Sequence, residues 1–178
     1  AVLSLLFFSC SEDYLDAKPG DAINDKDAVK SIEAVESLVE GIHSYIYSAY
    51  YGSQTIPPGQ AGFNAYLDLM GDDLRNTRPA YFMGYYRWQD HQDPYDDVVL
   101  GMWDFYYSII SYCNNVIIAL DNMKDAPAAK FAMLKGEVHT IRSWAYFNLV
   151  QIYAKRYEKG AANDNLGVII RLTPTVEP

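Results

Sequence analysis

The chain has 178 residues, of which 50% are hydrophobic and 15% aromatic, a composition that supplies a packed core and is too apolar for a disordered segment. Its formal net charge is −9 and the acidic residues are dispersed, so the chain lacks the basic footprint of a nucleic-acid-binding protein. The two cysteines, Cys10 and Cys113, are too few for a disulfide-rich secreted scaffold.

The amino-terminal residues 1–10 form an apolar run that ends in Cys10, and the chain turns polar and acidic directly afterwards. This switch is typical of the end of a signal peptide, and the run is far shorter than the roughly 20 residues that span a bilayer. It is similar to a bacterial lipobox, so we predict lipidation of Cys10. Neither a starting Met nor a basic segment precedes the run, and we expect the start to be missing. The alternative is a frayed end with a free thiol.

Residues 11–26 are predicted to be a polar tether that leads to a helix cap at Asn24 or Asp25. The first amphipathic helix follows and is expected to end near Tyr51-Gly52, because six apolar residues recur at steps of three and four. These residues are Ile32, Val35, Val39, Ile42, Ile46 and Ala49.

A shorter helix is predicted from about Ala65 to Asp73, after a proline- and glycine-rich break at residues 57–62. Residues 75–97 are rich in Tyr, Arg, Asp and Gly and have no sustained period. We therefore predict a loop or a set of short pieces there.

A long helix is predicted around an apolar stripe from Trp103 to Leu120, in which residues recur three and four apart. Cys113 lies on this stripe and is expected to be a small buried hydrophobe, since nothing nearby would lower its pKa. Trp103 also lies on the stripe and is expected to anchor the helix in the core, as is Trp144 further along the chain.

Asp125 and Pro127 suit the start of another long helix. Its apolar stripe runs from Phe131 to Ile152, and the helix is expected to close near Gly160. The remaining residues from Gly167 to Pro178 favour an extended segment.

Long amphipathic helices in consecutive pairs predict an all-α fold of helical hairpins like those of tetratricopeptide repeats, with irregular loops and a short extended carboxyl-terminal segment. The domain organisation that follows is a signal-peptide end over residues 1–10, a tether over 11–26 and a helical domain over 27–178. On the last of the long helices, Glu137 and Arg142 are five residues apart, so each is expected to reach a neighbouring helix or loop.

Three stretches in order along the chain carry a family resemblance. The segment from Leu134 to Tyr153 places a Gly-Glu pair, an Arg, an aromatic-rich run and a Tyr on one helix. Its matching residues are Gly136, Glu137, Arg142, Tyr146, Phe147, Leu149 and Tyr153. The upstream helix adds Trp103, Tyr107, Ile110, Asn114 and Asn115, and the opening adds Cys10, Tyr14-Leu15-Asp16 and Pro19. Together they resemble the SusD/RagB family of Bacteroidetes outer-membrane lipoproteins.

The resemblance implies a non-catalytic, cell-surface lipoprotein without a cofactor, held in the outer membrane by its lipid anchor. It implies that the protein captures oligosaccharide or another nutrient and passes it to a SusC-like, TonB-dependent outer-membrane transporter. The acidic residues after Cys10 also resemble the export signal of such lipoproteins. Members of the family are considerably longer, so we expect the chain to be truncated on its carboxyl side.

Sugar recognition needs flat aromatic faces together with planar polar side chains. The irregular segment 75–97 supplies both, and loops on a rigid scaffold are where binding groups concentrate. The predicted ligand-binding residues are Arg75, Asn76, Tyr85, Tyr86 and Trp88. The alternative is that these aromatics fill a gap between helices or face a protein partner.

Catalysis and metal binding are not expected. The neighbouring carboxylates Asp72-Asp73 and Asp96-Asp97 point in different directions on a helix, whereas a glycosidase pair must face each other, so helix capping is the favoured interpretation. The three histidines show no zinc-ligand spacing.

The competing function is a helical-repeat scaffold that mediates protein–protein contact alone. A surface with exposed aromatics around a concavity favours ligand binding, whereas a continuous flat apolar patch favours the scaffold.

Overall fold

The computed structural model describes residues 31–49, 59–77, 82–123 and 127–174. These residues form five α-helices and a short 3-10 helix, and no strand occurs among them. The helices are α1 (Ile32–Ser48), α2 (Gly59–Leu69), α3 (Met83–Tyr86), α4 (Asp97–Asp121) and α5 (Ala128–Tyr153), with the 3-10 turn at Asp90–Gln92. The predicted all-α fold is confirmed, while the likeness to tetratricopeptide repeats stays a prediction.

Helix α1 begins after Ser31, whose hydroxyl accepts a hydrogen bond from the Ala34 N–H at 3.1 Å. This side chain satisfies one of the donors that the first turn leaves unpaired. The helix thus starts later than the cap predicted at Asn24 or Asp25, which lies outside the described residues. The predicted stripe is confirmed, because Ile32, Val35, Val39 and Ile42 are buried on one face.

Helix α2 begins six residues before the predicted start at Ala65 and ends before Asp73, so these predicted bounds are wrong. Gly59, which lies within the predicted break at residues 57–62, is the first residue of α2. It has φ 64°, and its N–H donates to the Ala49 carbonyl at 2.8 Å. A side chain there would collide with the carbonyl oxygens of Ile46 and Tyr47, so glycine permits the close approach of α2 to the end of α1.

Helix α4 is the centre of the fold and packs on α5 along one side and on α1 along another. Its first turn is capped by Asp96, whose carboxylate accepts from the N–H groups of Val98 and Val99 at 2.9 and 3.2 Å. The capping role favoured for this carboxylate is confirmed. Buried Cys113 faces the core, and burial raises the pKa of its thiol to about 12, so it is not a reactive thiolate.

An aromatic cluster joins α1, α2 and α4. The Phe105 ring lies 5.7 Å from Tyr45 on α1, 5.2 Å from Phe63 on α2 and 5.1 Å from Tyr106. Trp144 of α5 completes the cluster with its ring 5.8 Å from Tyr106. Each ring pair adds a preferred geometry to the area that it buries, so the cluster fixes how the helices meet.

Helix α5 ends at Tyr153 rather than near Gly160, because Ala154 turns into an extended conformation and residues 155–174 contain neither helix nor strand. Residues 168–174, here called the C-terminal strap, then run back over α4 and α5. The Asn114 side-chain amide donates to the carbonyls of Arg171 and Thr173 at 3.0 and 3.3 Å. The Tyr146 hydroxyl donates to the Arg171 carbonyl and accepts from its N–H at 2.7 and 2.6 Å.

The charged side chains of α5 all reach back to other helices. Arg142 donates to Asn114 on α4 at 2.7 Å and Glu137 pairs with His43 on α1 at 2.8 Å, which confirms the predicted contacts of both residues. Lys130 pairs with Glu36 on α1 and Lys135 with Asp121 on α4.

The outward side of α5 is therefore free of charge. It is made of small and apolar side chains that recur at steps of three and four, and we call it the uncharged face. Its residues are Ala129, Met133, Gly136, Thr140, Ser143, Phe147 and Val150. They cover an arc of about 100° at 3.6 residues per turn. A helix that is apolar on two sides is typical of one that packs on two sides.

Burial makes several tyrosine hydroxyls harder to ionise in the folded chain. It raises the pKa of Tyr66, Tyr85, Tyr106 and Tyr153 above the ordinary value of 10.0. In each case loss of solvent disfavours the phenolate.

We expect the chain to unfold in alkali as a result. A phenol with a raised folded pKa keeps its proton longer in the folded than in the unfolded chain, so the folded chain binds more protons and stability falls as the pH rises above about 10. Phenolate absorbance and helical circular dichroism, followed together from pH 8 to 13, should show late ionisation coupled to loss of helix. Full ionisation near pH 10 with unchanged helix content would contradict this expectation.

Among the described residues, no helix combines the length and the hydropathy that crossing a bilayer requires.

Candidate functional site

An aromatic-walled cavity of about 440 Å³ lies between α2, α3, the start of α4 and the end of α5. We call it the Trp88 cavity. It is lined by Tyr66, Leu67, Met70, Tyr85, Trp88, His91, Val98, Val99, Met102, Gln151, Ile152 and Tyr153. Its volume is within the range of small-molecule sites, and its lining combines apolar walls with a few polar groups.

Trp88 lies at the edge of this cavity with 56% of its surface exposed. It is the second residue after α3 and has φ 57°, an unusual conformation for a bulky residue. The turn is held by Trp88 N–H donating to the Tyr85 carbonyl at 2.9 Å and Gln89 N–H donating to the Gly84 carbonyl at 2.8 Å. The indole stands nearly perpendicular to the His91 ring at 5.3 Å. This backbone conformation presents the indole at the surface, a type of local strain found at functional sites.

Tyr85 forms part of the cavity wall. Its ring is 4% exposed and meets the Tyr66 ring edge-on at 4.9 Å. Its hydroxyl donates to the Asp96 carboxylate, and burial together with this carboxylate raises the pKa of Tyr85. A hydroxyl engaged in this way positions α3 against the start of α4, and the ring supplies an apolar surface.

The other three predicted ligand-binding residues do not line the Trp88 cavity. Arg75 is exposed after the end of α2, Asn76 is half-buried beside it, and Tyr86 is half-buried on α3. The structure thus brings Tyr85 and Trp88 together and places Arg75, Asn76 and Tyr86 elsewhere on the same segment. Ligand binding by all five stays a prediction.

Several cavity residues come from parts of the chain that the sequence interpretation assigned to helix packing. Met102 lies in α4, one residue before the predicted stripe begins, and Gln151 and Tyr153 lie at the end of α5. The Tyr153 hydroxyl donates to the Val99 carbonyl at 2.5 Å and so ties the end of α5 to the first turns of α4. Tyr153 was among the residues that carry the family resemblance, but no sequence pattern indicates a cavity beside it.

A second, more open cleft of about 700 Å³ lies further along α4, between that helix and the C-terminal strap. We call it the Trp103 cleft. It is lined by Trp103, Asp104, Tyr107, Ser108, Ser111, Ile169 and Arg171. The Trp103 and Tyr107 rings are 4.6 Å apart, and the Tyr107 hydroxyl donates to the Ile169 carbonyl at 2.8 Å. Trp103 thus packs against the core, as predicted, and also borders a cleft.

Asp72 and Asp73 are exposed directly after α2, whereas Asp96 caps α4. In the part of the chain that the structure describes, no three His, Cys, Asp or Glu side chains lie close enough together to hold a metal ion.

The described residues form a helical domain with two aromatic-lined openings, and comparison with known proteins gives the family. Residues 13–176 match the SusD-like family that is described as starch-binding and associating with the outer membrane. The chain belongs to this family.

A curated relative is consistent with the assignment. A SusD-like protein of Bacteroides ovatus is 24% identical over 155 residues, which are 86% of this chain and 26% of the relative. The chain therefore spans about a quarter of the length of the relative that it matches. No solved structure matches the chain.

Proposed function

We propose that the protein is a non-catalytic, cell-surface lipoprotein that captures oligosaccharide and passes it to a SusC-like, TonB-dependent outer-membrane transporter. In this proposal Cys10 carries the lipid that holds the protein in the outer membrane. The observation that carries the ligand-binding part is the exposed Trp88 indole at the edge of an aromatic cavity.

The chemistry of the Trp88 cavity suits a sugar. An exposed indole offers a flat apolar surface to the apolar face of a pyranose ring, while polar groups nearby can bond to its hydroxyls. His91 contributes a ring nitrogen, Nδ1, that is buried and has no hydrogen-bond partner among the described residues. Gln151 adds an amide to the same lining. Both groups can exchange hydrogen bonds with a hydroxyl-rich ligand.

The proposal includes no reaction step. A glycosidase needs two carboxyl groups that face each other across the scissile bond. Asp96 is engaged by the first turn of α4 and by Tyr85, and none of the aspartates and glutamates that the structure describes lines the Trp88 cavity. Binding and release are the functions that this lining supports.

Replacing Trp88 with Ala should weaken glycan binding about tenfold, because the variant loses the aromatic surface on which the sugar stacks. The measurement is retardation of the 178-residue chain in native gels cast with a panel of polysaccharides, starch among them. Tyr95→Ala is the matched control, since Tyr95 is 83% exposed in the same segment and does not line the cavity. Equal retardation of both variants by the same glycan would contradict the proposed site.

The competing role in protein contact is favoured by a different observation, the uncharged face of α5. A folded chain that no polysaccharide retards would support this role and exclude glycan capture by these residues.

A further inference from the structure

The Trp88 cavity and the Trp103 cleft follow one another along the same helix. Residues Val98, Val99 and Met102 of α4 line the cavity, and Trp103, Tyr107 and Ser111 line the cleft. Residues four apart on a helix are surface neighbours, so Val99 of the cavity lining adjoins Trp103 of the cleft lining. From Val98 to Ser111 the helix rises about 20 Å at 1.5 Å per residue.

Tyr153 stands where the two openings meet. It lines the Trp88 cavity, and its ring packs edge-on against Trp103 of the cleft with 5.1 Å between centroids and an angle of 88°. Its hydroxyl is bonded to the Val99 carbonyl at 2.5 Å. The surface between the two openings is therefore the Tyr153 ring, whose hydroxyl is already hydrogen-bonded. Tyr153 itself carries no charge.

The Trp103 cleft also contains two charged side chains that have no side-chain partner among the described residues. The Asp104 carboxylate and the Arg171 guanidinium both line it, yet neither makes a side-chain hydrogen bond or an ion pair with the described residues. By contrast, each charged side chain of α5 has a partner on another helix. Two planar charged groups beside the Trp103 and Tyr107 rings combine hydrogen bonding to hydroxyls with an aromatic surface.

We propose that the Trp88 cavity and the Trp103 cleft are successive subsites of one binding track, which holds an oligosaccharide of several sugar units along α4. This inference rests on the proposed glycan-binding function and extends it. It assigns ligand contacts to Asp104 and Arg171, and it implies that the track binds longer oligosaccharides more tightly than short ones. A short oligosaccharide fills the Trp88 cavity, and a longer one continues past Tyr153 to reach the cleft.

The test compares binding of maltotriose and maltoheptaose by isothermal titration calorimetry. Asp104→Asn and Arg171→Gln should each weaken maltoheptaose binding about fivefold, the scale of one lost hydrogen bond, and leave maltotriose binding unchanged. Trp88→Ala should weaken binding of both sugars. Asp72→Asn is the control, since Asp72 is exposed and lines neither opening. Arg171→Gln retains the backbone bonds of the strap, and thermal unfolding of each variant checks the fold.

Equal losses for both sugars, or no loss for either, would overturn the track while Trp88→Ala still reports on the glycan site itself. If another polysaccharide retards the chain in gels, a short and a long oligomer of that glycan replace the maltose series. Absence of binding to every polysaccharide by the folded chain overturns both the track and the proposed function.

Discussion

Asn114→Leu should lower the free energy of unfolding by about 3 kcal/mol, because the change removes three part-buried hydrogen bonds. Asn114 is 1% exposed on α4 and accepts from Arg142 of α5 at 2.7 Å. Its amide also donates to the strap carbonyls of Arg171 and Thr173 at 3.0 and 3.3 Å. A leucine of similar volume fills the space but provides neither an acceptor for the guanidinium nor donors for the carbonyls. Urea denaturation followed by circular dichroism measures the effect.

The neighbouring residue supplies the control. Asn115 is exposed on the same helix, so Asn115→Leu tests the same chemical change one position along and should alter stability by about 0.5 kcal/mol or less. Equal destabilisation by the two variants would show that the side-chain network around Asn114 does not stabilise the fold.

Phe105→Ala should cost about 4 kcal/mol, the scale found when a fully buried aromatic ring is removed and a cavity remains. Phe105 is 0% exposed and contacts the rings of Tyr45, Phe63 and Tyr106. Because these rings come from α1, α2 and α4, the substitution loosens three helices at one point. The loss should appear as a lower urea midpoint, with a slope close to that of the unsubstituted chain.

Phe147→Ala is the matched control for that experiment. Phe147 is 61% exposed on the uncharged face of α5, and its removal should change stability by about 0.5 kcal/mol or less. A large loss in this variant would mean that the ring is covered in solution, and a small loss for Phe105→Ala would exclude the aromatic cluster as the centre of the core.

The long helices were predictable from sequence because their apolar residues recur with the helical period over many turns. The stripe around Cys113 predicted most of α4, and the start after Pro127 together with the following stripe predicted the whole of α5, although its end was expected near Gly160. The bounds of α2 were not predictable in the same way. A glycine such as Gly59 can either break a helix or begin one where the backbone makes a close contact. Which of the two occurs depends on the position of α1, and tertiary packing determines that position.

The candidate site was predictable in part for a related reason. Trp88 lies in a segment without a period, so an exposed aromatic role was a natural expectation. Met102 and Tyr153 lie in long amphipathic helices next to the ends of the predicted stripes, and a helix residue at the edge of a cavity has the same spacing as one in the middle of the core. The position at which neighbouring helices stop burying an apolar stripe depends on where those helices end. The spacing of residues within one helix does not contain that information.

The residues that carry the family resemblance have mainly architectural roles in the structure. Arg142 and Asn114 join α5 to α4, and Tyr146 holds the strap through both of its hydroxyl bonds. Such residues identify the scaffold reliably because the fold depends on them. They carry little information about the ligand, which the segment around Trp88 contacts in the proposed function.

The uncharged face of α5 is the surface along which we expect molecules to associate at high concentration. A net charge of −9 keeps molecules apart through repulsion between their charged surfaces, but the strip that includes Met133, Phe147 and Val150 carries no charge that could repel a neighbouring molecule. We therefore expect one acidic side chain introduced on the strip to raise the solubility limit. These three residues line neither the Trp88 cavity nor the Trp103 cleft, so the change leaves both linings intact.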